Sequence, residues 1–152
     1  MEWLATALFS MLGFDYKNKR RKDRELLERF LNILPSDSDS ILFLKDHDMG
    51  FSARYAYFSP LNRVREDWMA PDKEFQVAKL ERLKVAFIEK IDEFLREYAK
   101  RSGGEGDGFI SIGLRDDEDR QEMLEYRDLL NQLSSEAYER YERFVSAAWR
   151  EI

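Results

Sequence analysis

Two long stretches of helical periodicity, separated by a glycine-rich break, constrain this chain more than any other feature. From about residue 72 to 101, Leu80, Leu83, Phe87, Ile91, Phe94 and Tyr98 recur every three or four positions among charged residues. That spacing lines up one face of a helix. From about 116 to 150, Tyr126, Leu130, Leu133, Ala137, Tyr141, Phe144 and Ala148 do the same. Two amphipathic helices joined by a loop bury their seams most simply by pairing antiparallel. A pair alone cannot cover 21 aromatic residues in 152. The Leu26, Leu27, Phe30, Leu31 and Leu34 seam therefore completes the core, or a homodimer does. The predicted fold class is mainly α: an antiparallel helical bundle with two long helices, about 72–101 and 116–150, and shorter N-terminal helices.

Punctuation refines this outline. Pro35 lacks an amide donor and restrains the residue before it, so the Leu26–Leu34 helix should stop there. In SDSDSILFLKDHDMG, Ser and Asp oxygens suit a helix start, and Gly50 suits a left-handed helix end. Ser40 to Asp48 reads as a short helix, although the apolar run 41–44 would serve equally as a strand. Ser59-Pro60 reads as the cap and first turn of a helix to Trp68, and Ala70-Pro71-Asp72 repeats that signal. GGEGDG at 103–108 reads as a flexible connection. Residues 109–114 alternate with period two, so they read as one short strand or extended segment that needs a partner.

The first 24 residues differ from the rest. Residues 1–14 form an amphipathic pattern whose polar positions Glu2, Thr6, Ser10 and Gly13 follow one helical line. Fourteen helical residues span about 21 Å, short of the roughly 30 Å hydrocarbon core of a bilayer. Acid stands before this stretch and bases behind it, the reverse of an export signal. Between residues 17 and 24 six basic residues accompany a single acid, Asp23, whereas residues 25–152 carry 28 acids against 19 Lys or Arg. The expected domains are an amphipathic helix plus basic linker over 1–24 and a helical-bundle domain over 25–152. Trp3, Leu4, Leu8 and Leu12 either pack on the domain or dock elsewhere. With Lys17, Lys19, Arg20, Arg21 and Lys22 they make the candidate docking segment for a protein partner or an anionic membrane surface. An acidic body argues against specific nucleic-acid binding. The absence of cysteine fits a reducing, cytoplasmic setting, with attachment at the inner membrane face.

Chemical motifs are few. His47 is the single histidine, flanked by Asp46 and Asp48; neighbours on a helix point about 100° apart, so His47 and Asp48 read as a structural polar site rather than a catalytic pair. Asp37, Asp39, Asp46 and Asp48 resemble a calcium loop only until its sixth position, which is Leu42 where glycine is required. GGEGDG lacks the Lys-Ser/Thr of a phosphate loop. Phe51, Tyr55, Tyr57, Phe58 and Trp68 form an aromatic cluster that would bind a partner if its rings were exposed together. No catalytic residue, metal or cofactor is assigned.

Glu25-Leu26-Leu27-Glu28 and Glu125-Tyr126-Arg127-Asp128 are similar to the metal-holding strings of MazG-type, all-helical nucleotide pyrophosphohydrolases, but about a hundred residues separate them, far beyond that family's spacing. Carried over, the resemblance implies a metal-dependent hydrolase with Glu25, Glu28, Glu125 and Asp128 facing inward. A second resemblance covers roughly residues 25–95. FLNILPSDSDSILFLKDHDMG followed by DWMAPDKEFQVAKLERLKVAFIEKIDEFL resembles bacterial helical proteins with a Leu-Pro-Ser turn and a Phe-Leu-x-x-His-Asp segment, although GFSARYAYF departs from their pattern. It implies no activity and places His47-Asp48 in the fold's own hydrogen bonding. The functional expectation is a non-enzymatic interaction module recruited by its N-terminal segment, with the metal-dependent hydrolase as the alternative.

Overall fold

The computed structural model describes residues 2–113 and 120–152, with side chains in the first helix described from residue 15 onward. The chain is mainly helical, with a small antiparallel sheet. Helix α1 runs without interruption from Glu2 to Ile33. The basic residues 17–24 are thus helical, not a linker, and the stretches expected as separate helices at 1–14 and 26–34 are one long helix. Nothing between Gly13 and Leu34 breaks a helix; the proline stands at 35, and the helical bond from Leu34 N–H to the Phe30 carbonyl is the last before it.

Helix α2 covers Asp39–Asp46, one residue ahead of expectation at its start, with Ser38 Oγ accepting the Ile41 amide. Residues 41–44 are therefore helix, which resolves the ambiguity of their apolar run. The helix ends at His47, not Gly50, because His47 turns extended while its amide still bonds to the Phe43 carbonyl. Helix α3 covers Tyr55–Asp67 and carries Pro60 in its interior, where Ser59-Pro60 was expected to open it. The carbonyl that Pro60 leaves without its helical donor is that of Ala56, an exposed residue. A single 3-10 turn follows at Pro71–Lys73.

Helix α4, Ala78–Arg101, starts later than the expected residue 72: residues 71–73 form the 3-10 turn, and residues 74–77 are non-helical, with the 76 and 77 amides taken by Asp23 of α1. Helix α5 covers Arg120–Glu151; its expected start at 116 lies outside the described residues. These two helices make the most extensive contact between any pair of elements. The buried seam of α4 is Leu80, Lys84, Phe87, Ile91, Phe94 and Tyr98, with Ile88 and Leu95 beside it. Leu83, assigned to the seam from the sequence, is half-buried, and Lys84 takes the interior place.

Phe30 of α1 sits at the centre of the core. Its ring meets Trp68 edge-on at 5.2 Å, Phe144 at 5.1 Å and Phe87 at 6.2 Å, the perpendicular geometry that aromatic quadrupoles favour. Tyr141 closes this cluster and donates its hydroxyl to the Leu34 carbonyl at 2.6 Å. Burial, its largest influence, pushes the Tyr141 phenol pKa up.

The first three residues of the period-two segment, Phe109–Ser111, form the middle strand of a sheet; Ile112 and Gly113 lie beyond the strand and Leu114 lies outside the described residues. Strand β1 is Ala53–Arg54, β2 is Gly103–Gly106 and β3 is Phe109–Ser111, in the order β1-β3-β2 with both pairings antiparallel. The glycine run is therefore a strand and turn rather than a plain connection. Gly106, Asp107 and Gly108 all have positive φ, which lets the chain reverse tightly into β3. The register slips between Gly104 and Gly106, setting Glu105 out of the ladder as a bulge.

Candidate functional site

Three regions carry the residues singled out from the sequence. The first is the middle of α1. Lys17, Lys19, Arg21, Lys22 and Arg24 are exposed, and no residue described before Asp23 is buried. Lys19 pairs with Asp15 at 3.6 Å, Arg21 donates to Asn18 Oδ1 at 3.0 Å, and Arg24 donates to the Ile152 carbonyl. Arg20 lies over the Tyr16 ring at 4.5 Å. The side chains of Trp3, Leu4, Leu8 and Leu12 lie outside the described residues.

Asp23, the lone acid of this run, is the first core residue among the described side chains of α1, with only 1% of its surface exposed. Its two carboxylate oxygens accept the Gln76 amide at 2.7 Å and the Val77 amide at 2.9 Å. Val77 is the N-cap of α4 and offers no capping side chain of its own. A carboxylate from another helix thus satisfies the N-cap amide and the one before it, which no turn of α4 can take, and places negative charge at the positive end of the α4 dipole. Sequence reading missed it. The signal was present: projecting the Leu27, Phe30, Leu34 seam back by one turn lands on residue 23.

A second buried charge secures the same loop. Lys84 is 1% exposed and donates to Glu81 at 2.6 Å and to the Lys73 carbonyl at 2.7 Å. Glu81 also accepts the Phe75 amide at 3.2 Å. Residues 73–77 are consequently held by a carboxylate from α1 and an ion pair from α4.

The second region contains His47 and Asp48. Asp48 Oδ1 accepts the Gly50 amide at 2.9 Å and the Asn131 Nδ2 at 3.4 Å, while Asn131 Oδ1 accepts the Met49 amide at 2.8 Å. Asn131 therefore clasps this turn to α5. The Gly50 amide, with smaller help from Asn131, holds the Asp48 carboxyl below the usual range. A Cβ on residue 50 would stand 2.8 Å from Arg127 Cδ. Close approach of the Arg127 side chain, not a left-handed backbone, explains the glycine. His47 stacks obliquely on Phe43 at 5.0 Å, with its Nε2 3.3 Å from the Phe51 carbonyl. Its contacts belong to the turn.

The third region is the sheet and its surroundings. The aromatic cluster divides: Trp68 and Phe58 are buried, Tyr57 is half-buried, and Phe51 and Tyr55 are exposed. Tyr55 lies against Gly104, where an added Cβ would meet its hydroxyl at 2.8 Å. A cleft of about 570 Å³ is lined by Phe51, Ser52, Arg101, Gly103 and Gly104 of β2, Glu105 and Ser111. Glu105 accepts Ser52 Oγ at 2.5 Å, and hydrogen bonds from Ser111 and Ser52 hold its pKa down. Tyr98 beneath the sheet is pushed up to about 12 by burial.

The carboxylates of the hydrolase alternative do not converge. Glu25, Glu28, Glu125 and Asp128 are all exposed, Glu125 accepts Gln121 at 3.1 Å, and Asp128 pairs with its neighbour Arg127 at 3.0 Å. Among the described residues no group of three or more His, Asp or Glu is placed to hold a metal ion. No helix among them is long and apolar enough to cross a membrane. Neither family models, curated proteins nor solved structures give a match to this chain.

Proposed function

We propose that this protein is an interaction module recruited to an anionic membrane surface by the N-terminal two thirds of α1. The observation that carries this reading is where burial begins. Core contacts of the described α1 residues start at Asp23, and Lys17, Lys19, Arg21, Lys22 and Arg24 present their charge to water. A Lys or Arg near an anionic leaflet contributes about 1 kcal/mol, so the three that share one side of the helix, Lys17, Arg21 and Arg24, supply about 3 kcal/mol before any apolar contact. The acidic balance of residues 25–152 repels the same surface and turns the body outward. Apolar residues within 3–14 extend the attraction in the manner of an interfacial helix.

Sedimentation with vesicles tests this directly. Full-length protein should pellet with phosphatidylserine-containing vesicles at low salt and be released at high salt, with neutral vesicles leaving it in solution. A chain lacking residues 2–22 retains Asp23 and every described core residue, so it should fold and remain in the supernatant. Equal pelleting of the two chains refutes the proposal. Pelleting indifferent to salt and lipid charge refutes its electrostatic basis.

A further inference from the structure

A basic hollow on the body stands apart from the docking helix. Arg29 and Asn32 of α1, Arg63 and Asp67 of α3, and Lys73 of the 3-10 turn line a pocket of about 330 Å³ with Trp68 at its base. Three cations and one carboxylate meet here, in a protein whose net charge is −6. Arg29 and Arg63 are exposed at the rim, and neither guanidinium makes a hydrogen bond or ion pair among the described residues. Lys73 is more confined, with its side chain 17% exposed; its ammonium lies 5.6 Å over the Trp68 ring and a loose 3.8 Å from the exposed Asp72.

Like charges are not gathered around a concavity without cost, and here the described neighbours do not neutralise the two arginines. The three elements that carry them are fixed by core contacts: Phe30 on α1 against Trp68, and Lys84 on the Lys73 carbonyl. The backbone around the pocket is therefore set before any ligand arrives, which lowers part of the ordering cost of binding. Two planar guanidinium forks and an ammonium are the donor set that suits the oxygens of a phosphate. Asp67 opposes a bare anion, yet it is a good acceptor for a hydroxyl, and Asn32 can both donate and accept. Phosphate donors with a hydroxyl acceptor beside them match a phosphorylated polyol.

We infer that this pocket binds a phosphomonoester carried on a polyol, with Arg29, Arg63 and Lys73 holding the phosphate and Asp67 accepting a neighbouring hydroxyl. The site lies on the body and stands independently of whether residues 2–22 dock on a membrane. Such a group occurs both on soluble sugar phosphates and on phosphorylated inositol headgroups.

Calorimetric titration of the full chain tests it, using glucose 6-phosphate, glucose and inorganic phosphate at matched ionic strength, with phosphoinositide-containing vesicles as a separate arm. Glucose 6-phosphate should bind and glucose should not. R29Q and R63Q should each weaken binding about tenfold, as expected for the loss of one charge-assisted contact. Both sites are exposed, so circular dichroism should confirm unaltered folding. D67N separates the two halves of the ligand: it should tighten inorganic phosphate and weaken glucose 6-phosphate. Inositol specificity would show as binding to phosphoinositide vesicles, lost in R29Q/R63Q but kept when Lys17, Lys19, Arg21 and Lys22 are changed to Gln. Absence of binding to both the soluble phosphate ester and the phosphoinositide vesicles overturns the site. Binding unaffected by R29Q/R63Q does the same, and D67N tightening both phosphate and its ester overturns the polyol assignment.

Discussion

Replacing Asp23 by Ala isolates one interaction that spans two helices. In the wild type its oxygens take the Gln76 and Val77 amides at 2.7 and 2.9 Å from a position only 1% exposed. Hydrogen bonds to a charged group contribute about 1.5–3 kcal/mol each, and an amide stranded without a partner costs about 1–3 kcal/mol. Gln76 is exposed and Val77 half-buried, so water can recover part of the loss at both amides. The desolvation already spent on the carboxylate is returned when it is removed. These terms place D23A about 3 kcal/mol below wild type. D23N keeps one acceptor but turns an amide towards the second N–H, so it should lose about 2 kcal/mol. In a domain of this size each kcal/mol moves Tm by about 2–4 °C, giving a drop of about 6–12 °C for D23A. Urea unfolding followed by circular dichroism measures the free energy. Amide exchange at residues 76 and 77 should accelerate beyond the global change, because the start of α4 loses its cap. A D23A loss within about 0.5 kcal/mol, the range of an ordinary surface substitution, would refute the capping role.

Two further substitutions probe the same architecture. E81A removes the carboxylate from the buried Lys84 and leaves the ammonium with the Lys73 carbonyl, so about 3 kcal/mol should be lost; urea midpoints for E81A and E81Q would show it, with E81Q intermediate. N131A frees the Met49 amide and removes one donor from Asp48, costing about 1–2 kcal/mol in the same assay. The pH profile adds a signature. Because the folded-state pKa of Asp48 is depressed below its ordinary 3.8, its contribution is complete above the ordinary carboxylate range and disappears as pH falls through the folded value. The difference between N131A and wild type should therefore shrink in acid; a constant gap would refute the coupling.

The helical character was legible because Phe87, Ile91 and Phe94, or Tyr141, Phe144 and Ala148, repeat at a period that strands cannot match. The misplacements have physical causes. Asp23 and Lys84 occupy seam positions, and a pattern read from apolar residues alone passes over them. Each is tolerated inside because partners satisfy it: the 76–77 amides, distant in sequence, for Asp23, and Glu81 one turn away with the Lys73 carbonyl for Lys84. Pro60 was read as a helix opener, since a sequence cannot show that the turn it interrupts lies at an exposed residue, Ala56. The middle strand was legible from the alternation after residue 108, but its partners were not: β1 is only two residues long, and β2 is mostly glycine and pairs with β3 around a bulge at Glu105. At the site level, exposure of the MazG-like carboxylates is a three-dimensional property that an acidic i, i+3 spacing does not encode. The Arg29, Arg63 and Lys73 pocket joins residues too far apart in sequence to form a motif.

The unbroken run of α1 from Glu2 to Ile33 has a mechanical meaning. A flexible basic tether would let the body tumble about its attachment and would transmit no orientation. The 21 helical residues ahead of Asp23 instead make an arm of about 31 Å. Its inner end is fastened twice, by the aromatic cluster around Phe30 and by the carboxylate seated on the start of α4. Whatever grips the outer end therefore sets both the stand-off and the bearing of the bundle. A bend introduced by proline within residues 13–22 would change that bearing while leaving every described core contact in place.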